Sequence, residues 1–284
     1  MTKINNLSKS NSCFSFLDKL KEPLYKYNQS IVKEYGLGDS KMLKVTTMNV
    51  LRTPGLDVDN KKQYARCTVN EKKLSNNVSR ARNKIYELAS CNPWDLFVTL
   101  TIDSNKFDRQ DLEKYHKSFV IFLRDYGKKY GIKIQFLLIP ELHSDGKSWH
   151  IHGLFYGLPT SHLHQFQIGD TMGSKVAEKV KNGDIVYKWT PYENKFGWCV
   201  LEPIKNHEAV SKYIVKYINK DLEKSVTDLN AHLYYHSRNL NEATTLMRGT
   251  LTADIGYDFA NEYCSIKALP YTKEIVDFLN DNII

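Results

Sequence analysis

The sequence predicts an α+β fold, a mainly antiparallel sheet covered by helices, with N- and C-terminal extensions. Three observations carry this expectation. Stretches of helical period are mixed with short β-branched runs. Two of those runs flank a Ser144-Asp-Gly-Lys147 turn and read as a hairpin. The regular strand–helix–strand alternation of a parallel sheet is missing. At 284 residues the chain can bury one good core with extensions. We divide it into an N-terminal arm or extension (1–75), a central domain (76–240) and a C-terminal helical extension (241–284).

The elements follow in order. Residues 1–75 mix a weakly amphipathic stretch from Phe14 with turn-rich segments at Gly36-Leu-Gly38 and Pro54-Gly55. Val78, Ala81, Ile85 and Leu88 recur at helical spacing, and Asn92-Pro93 ends that helix. Phe97-Val-Thr-Leu-Thr-Ile102 is a buried strand by its β-branched content. The next helix starts at Ser104 or Asp108, with Leu112, Tyr115, Phe119, Phe122, Leu123 and Tyr126 on one face, and Gly127 and Gly131 closing it. Ile134–Leu142 and Trp149–Tyr156 form the hairpin. Residues 157–200 read as loop with an inserted ribbon near Ile185–Trp189, and Val200–Ile204 as a further strand. A helix spans roughly Glu208 to Leu222, and another spans Tyr271 to Ile284.

Charge and composition narrow the class. A net charge of +8 suggests a polyanionic partner. Five scattered cysteines without a CxxC pair read as reduced thiols rather than a disulfide framework or zinc site. No apolar run approaches the ~18 residues of a membrane span, so a cytoplasmic protein with no membrane partner is expected.

His150 and His152 flank Ile151 in the returning strand and therefore point to one side of the sheet. A turn centred between Asp145 and Gly146 sets Glu141 opposite His150 and Ile139 opposite His152. Glu141 is then a natural third ligand beside two imidazoles, and that donor set with open positions suits Mg²⁺ or Mn²⁺. The spacing by itself is cheap: His162 and His164 repeat it in a loop-like stretch, and His143 near the turn is a weaker competitor.

Tyr213 and Tyr217, four residues apart, share one helix face. A metal-polarised phosphate would make a tyrosine hydroxyl a sufficient nucleophile. Lys216 lies near the same face and can contact the phosphate. Lys212 and Lys220, with Arg80, Arg82 and Lys84 on the earlier helix, supply candidate DNA-backbone contacts. The plainer alternative is that both tyrosines pack the helix on the sheet, although Ile214, Val215 and Ile218 already provide an apolar face.

Taken in order, these residues resemble the HUH rolling-circle replication initiators, especially the two-tyrosine kind of small single-stranded-DNA phages. Phe97-Val-Thr-Leu-Thr101 is similar to their first motif, Trp149-His-Ile-His-Gly153 to their metal motif, and Tyr213-Ile-Val-Lys-Tyr-Ile-Asn-Lys220 to their nucleophile helix. The resemblance spans roughly residues 78–240. It implies a ferredoxin-like or RNA-recognition-like nuclease core that nicks one strand at an origin, becomes 5′-phosphotyrosyl-linked, leaves a 3′-OH and later rejoins the ends. It implies single-stranded and origin DNA as partners in a bacterial host cell. Gly146-Lys147-Ser148 does not complete a phosphate-binding loop, since Glu141 stands where the leading glycine belongs. A host helicase and polymerase are therefore expected partners. Two alternatives stay open: a single-strand transposase or relaxase of the same superfamily, and a non-catalytic nucleic-acid-binding protein stacking bases on Phe155 and Tyr156.

Overall fold

Alternation with period two builds the sheet that carries the site. In β3 (Leu96–Thr101) the buried Leu96, Val98 and Leu100 alternate with Phe97, Thr99 and Thr101, so the strand has two committed faces. The computed structural model describes residues 28–50, 71–143, 145, 148–217 and 232–284. They fall into two units, each with its own antiparallel sheet, and the α+β class expected from the sequence is the class observed.

The larger unit holds α1 (Glu71–Ser90), β3, α2 (Leu112–Tyr130), β4 (Gln135–Leu142), β5 (Trp149–Tyr156), β6 (His164–Gln165) and α3 (Ser174–Lys181). It continues through β7 (Tyr187–Lys188), α4 (Thr190–Lys195), β8 (Cys199–Pro203), α5 (His207–Ile214) and β9 (Tyr235–His236). Its sheet has the order β6-β7-β8-β3-β5-β4-β9, antiparallel between all neighbours. Helix α2 connects β3 to β4 while β5 lies between them, the split βαβ connectivity of ferredoxin-like folds.

Helices cover both faces. Leu96, Val98, Leu100, Leu138, Ile151 and Phe155 pack with Tyr115, Phe119 and Leu123 of α2. On the other face Leu137, Ile139 and Leu154 pack with Val78, Ala81, Ile85 and Leu88 of α1 and Ile214 of α5. Burial of each such side chain stabilises the fold by about 1.5–3 kcal/mol. The four α1 residues are those expected from helical spacing.

Several expectations need correction. The N-cap of α2 is Asp111, whose carboxylate accepts from Lys114 N at 2.9 Å; Asp108 instead accepts from Gln110 N in a turn just before the helix. Gly131 alone closes α2, at φ 67°, and Gly127 lies inside the helix. Residues 157–200 are not only loop and ribbon. Two short helices stand there, α3 with Val176 buried and α4 with Tyr192 buried, each too short to show a helical period. The ribbon itself is present as the β6–β7 pair.

The smaller unit pairs β1 (Gln29–Tyr35) and β2 (Met42–Met48) with β10 (Thr244–Thr250), β11 (Phe259–Ala260) and β12 (Cys264–Pro270) in the order β10-β1-β2-β12-β11. Its core is Val32, Leu43 and Val45 with Leu251 and Leu279, the last from α6 (Lys273–Asn282). The terminal helix is expected from sequence; the five strands are not. No described helix is long and apolar enough to cross a membrane.

Gly153, next to His152 in β5, faces Leu138 in β4. A Cβ there would lie 2.5 Å from both the Leu137 carbonyl oxygen and Leu138 Cδ2. The carbonyl cannot retreat without breaking the sheet. Gly153→Ala should therefore lower stability by about 1–3 kcal/mol or more, read as a shift in urea midpoint. An unchanged midpoint would contradict the close packing of β4 on β5.

Candidate active site

The hairpin register sets the first half of the site. Glu141 stands opposite His150 and Ile139 opposite His152, as the turn position predicts. His143 N donates to Ser148 O at 2.7 Å, and Ser148 N to Asp145 Oδ1 at 2.8 Å, which closes the turn. Glu141 reaches diagonally to His152, with Oε2 2.8 Å from Nε2. On the other side of β5, Thr99 pairs with His152 and Thr101 with His150. Their hydroxyls lie 3.2 and 3.5 Å from the respective Nδ1 atoms. Such outer partners fix the orientation of an imidazole and leave its other nitrogen available. Sequence reasoning assigns no role to Thr99 and Thr101, although the alternation Phe97, Thr99, Thr101 already places them on one face.

The tyrosines complete the cluster. Asn206 caps α5 by accepting from Ala209 N at 2.8 Å, and Ile214 is fully buried against the sheet. This anchorage leaves Tyr213 45% exposed. The α-helical form ends at Ile214, and a 3₁₀ turn at Val215–Tyr217 follows instead of a continued α-helix. The Tyr217 ring lies flat on the His152 imidazole, with centroids 3.9 Å apart and planes at 16°. Its hydroxyl donates to the Tyr213 hydroxyl at 2.8 Å. Phe97 borders all three rings, with centroids 5.7 Å from Tyr213 and 6.2 Å from both Tyr217 and His152. Lys216 Nζ sits 5.4 Å from the centre of the Tyr213 ring.

Burial dominates the electrostatics. It pushes the His152 imidazole down to about 4, and the side chain is only 13% exposed. It also lowers His150, aided by the charges of His143, His152 and Arg109. Burial raises the Glu141 carboxyl, against an opposing pull from His150. Glu141 and His152 are close enough for an ion pair, yet both shifts disfavour charge. The contact at neutral pH is therefore a neutral imidazole donating Nε2–H to a carboxylate. Tyr217 is raised by burial and then by its hydrogen bond to Tyr213, so it keeps its proton and acts as a donor.

These donors fit a small divalent cation in kind: two imidazoles kept neutral, hence with lone pairs, and one carboxylate on the same face. Among the described residues, no group of three or more His, Cys, Asp or Glu is already gathered around one point. His152 and Glu141 touch, whereas His150 stacks on His143 with centroids 4.8 Å apart. Closing the triad requires His150 to turn and the Glu141–His152 proton to leave.

The expected DNA contacts are distributed unevenly. Arg80 and Arg82 are exposed on α1. Lys84 is held by Glu242 at 2.6 Å and Glu87 at 3.2 Å, and Lys212 by Glu208 at 2.5 Å. Lys220 lies outside the described residues. Phe155 is buried in the core and offers no stacking face, while Tyr156 is partly exposed. Arg109, overlooked in the sequence, acts electrostatically on His150 while its Nε donates to Ile102 O at 2.7 Å. No motif or period marks it; only the fold brings it there.

An antiparallel sheet bearing two histidines and a carboxylate, faced by a tyrosine pair on a short helix, defines the class of arrangement. Residues 95–222, from the start of β3 through the tyrosine helix, match the family model of the replication-associated protein ORF2. That stretch is thus similar to replication-associated proteins, and it supports a rolling-circle replication initiator family and interaction with DNA. No curated protein and no solved structure shows a significant match to the chain.

The stack on Tyr217 should govern His152. In the metal-free protein its ring should titrate near 4 by NMR, and Tyr217→Ala should move the midpoint up towards 6.5 while Tyr217→Phe keeps it low. The folded-state value is depressed, so this contribution to stability is complete above about 6.5 and is lost as pH falls towards 4. Unfolding free energy should fall across that window, less steeply in Tyr217→Ala. An unmoved midpoint in Tyr217→Ala would show that the stack does not bury His152.

Proposed function

We propose that the larger unit nicks and rejoins single-stranded DNA at a rolling-circle origin through a 5′-phosphotyrosine linkage, with Tyr213 making the first attack. The observation that carries this reading is the contact of the tyrosine pair with the histidine pair: Tyr217 lies on His152 at 3.9 Å and hydrogen-bonds Tyr213 at 2.8 Å. The match of residues 95–222 supports the same biology.

Tyr213 is exposed and accepts a hydrogen bond, so its oxygen can reach a phosphate while Tyr217 stabilises the charge that develops there. Lys216 over the ring acts in the same sense. The Tyr213 Oη–P bond forms as the P–O3′ bond breaks, and the proton lost by Tyr213 ends on O3′. The released 3′-OH can prime synthesis. Rejoining reverses the step, a 3′-OH displacing the tyrosine, because the phosphotyrosine linkage conserves the phosphodiester energy. Tyr217 can then serve a second cut. Mg²⁺ or Mn²⁺ held by His150, His152 and Glu141 would polarise the scissile phosphate. Thr99 and Thr101 hold the imidazoles for that ion. Unwinding and synthesis would fall to a host helicase and polymerase in the bacterial cytoplasm.

Cleavage of labelled single-stranded origin DNA in Mn²⁺ tests this directly. His150→Ala and His152→Ala should each abolish it with circular dichroism unchanged, and Glu141→Ala should raise the Mn²⁺ requirement. Thr99→Val should weaken metal affinity by about 10–100-fold. Tyr213→Phe should lose most first-strand nicking, and the double mutant with Tyr217→Phe should form no covalent adduct. Full nicking in excess chelator would sink the metal assignment, and an adduct in the double mutant would sink the tyrosines. DNA binding without cleavage in any metal would leave the non-catalytic reading.

Binding should also be salt-dependent. About five neutralised phosphates on a single strand give a log–log slope of about −3.5. Lys84→Ala should leave the slope unchanged, since Glu87 and Glu242 already neutralise that charge. Lys216→Ala should reduce it by about 0.7. A flat dependence would indicate a partner other than nucleic acid.

A further inference from the structure

A cavity of ≈ 470 Å³ opens beside Tyr213, and nothing in the chemistry above uses it. Phe97 and Tyr213 form its wall towards the histidines, and Ile185, Ile204 and Val210 supply apolar surface. Two ion pairs stand at its lining. Lys179 Nζ donates to both carboxylate oxygens of Glu202 at 2.7 and 2.6 Å, and Lys205 Nζ meets Asp184 Oδ1 at 2.9 Å. The volume lies within the usual range for small-ligand sites, about 300–1,000 Å³.

We propose that this cavity holds one unpaired nucleobase of the strand whose phosphate Tyr213 attacks, a reading that rests on the proposed function. Three features favour a base over any other part of the strand. Phe97 and Tyr213 belong both to the cavity and to the tyrosine–histidine cluster, so a phosphate at the Tyr213 hydroxyl brings its neighbouring base to this wall. The aromatic and apolar lining suits a flat heteroaromatic ring, which every base presents. Glu202 and Asp184 place carboxylates at the lining, which disfavour a phosphate there.

The Lys179–Glu202 pair gives the cavity a means of reading the base edge. An ammonium has three N–H donors and each carboxylate oxygen has a further lone pair, so a donor and an acceptor remain side by side. A base edge carries the complementary pattern, and a carboxylate suits an exocyclic amine. Glu202 stands directly across from Phe97 in the β3–β8 register, which ties this reader to the stacking wall through the sheet.

The test uses the full chain with ¹³C-labelled isoleucine and valine methyl groups, titrated with deoxynucleosides and separately with deoxyribose 5-phosphate. The expected result is that the methyls of Ile185, Ile204 and Val210 shift with nucleosides and not with the sugar phosphate. Val210→Trp, which fills the cavity, should weaken nucleoside binding about tenfold, on the scale of one stacking contact. Lys179→Ala, on the surface helix α3, should weaken it too and guards against misfolding of the tryptophan variant. Equal shifts with the sugar phosphate, or no nucleoside shift at these methyls, would overturn the proposal. The titration needs no cleavage. A chain that binds nucleosides but never nicks would refute the proposed function alone, and one that nicks without these shifts would refute the cavity assignment alone.

Discussion

The placement of β5 between β3 and β4 is the constraint on which the site depends. Each strand of that trio has one face in the α2 core and one face towards α1 and α5. A slip of one residue would turn His150 and His152 into the α2 core and Ile151 out of it. Burial of Ile151 and Phe155 on one side and Leu154 on the other makes such a slip costly. The same register sets Glu141 and the threonines around the imidazoles, so metal donors, their outer partners and the stacking ring all follow from two strand pairings.

Burial and polarity compete at this site, and burial prevails. The His152 ring is sealed by Tyr217 and by its threonine and glutamate neighbours, which keeps it neutral. A neutral imidazole is what a metal needs, while a charged one would repel it. The same desolvation makes Tyr217 a reluctant acid and leaves the more exposed Tyr213 as the group able to meet DNA. Two chemically identical side chains thus receive different environments from one short helix and the turn that follows it.

The parts of this arrangement that are local in sequence were legible. Val78, Ala81, Ile85 and Leu88 form a core face because helical period reports burial directly, and the Glu141–His150 register follows from the position of one turn. Parts that depend on distant partners were not. β1 pairs with β10, so Gln29 meets Thr250, and the burial of β1 does not alternate cleanly enough to betray it. Lys84 reads as a free cation until Glu242 arrives from far along the chain. Arg109 reaches the site from the segment between β3 and α2, which carries no motif. Thr99 and Thr101 were visible as strand formers, but their role depends on which histidines lie beside them.

Peptide mapping of the covalent product tests the central claim most directly. The protein would be reacted once with a labelled single-stranded oligonucleotide in Mn²⁺, digested, and the nucleotide-bearing peptide sequenced. The account predicts label on Tyr213 after a single turnover, with Tyr217 labelled only when a second cut is allowed. Label on neither tyrosine, or a cleaved strand with a free 5′-phosphate and no protein attached, would contradict it.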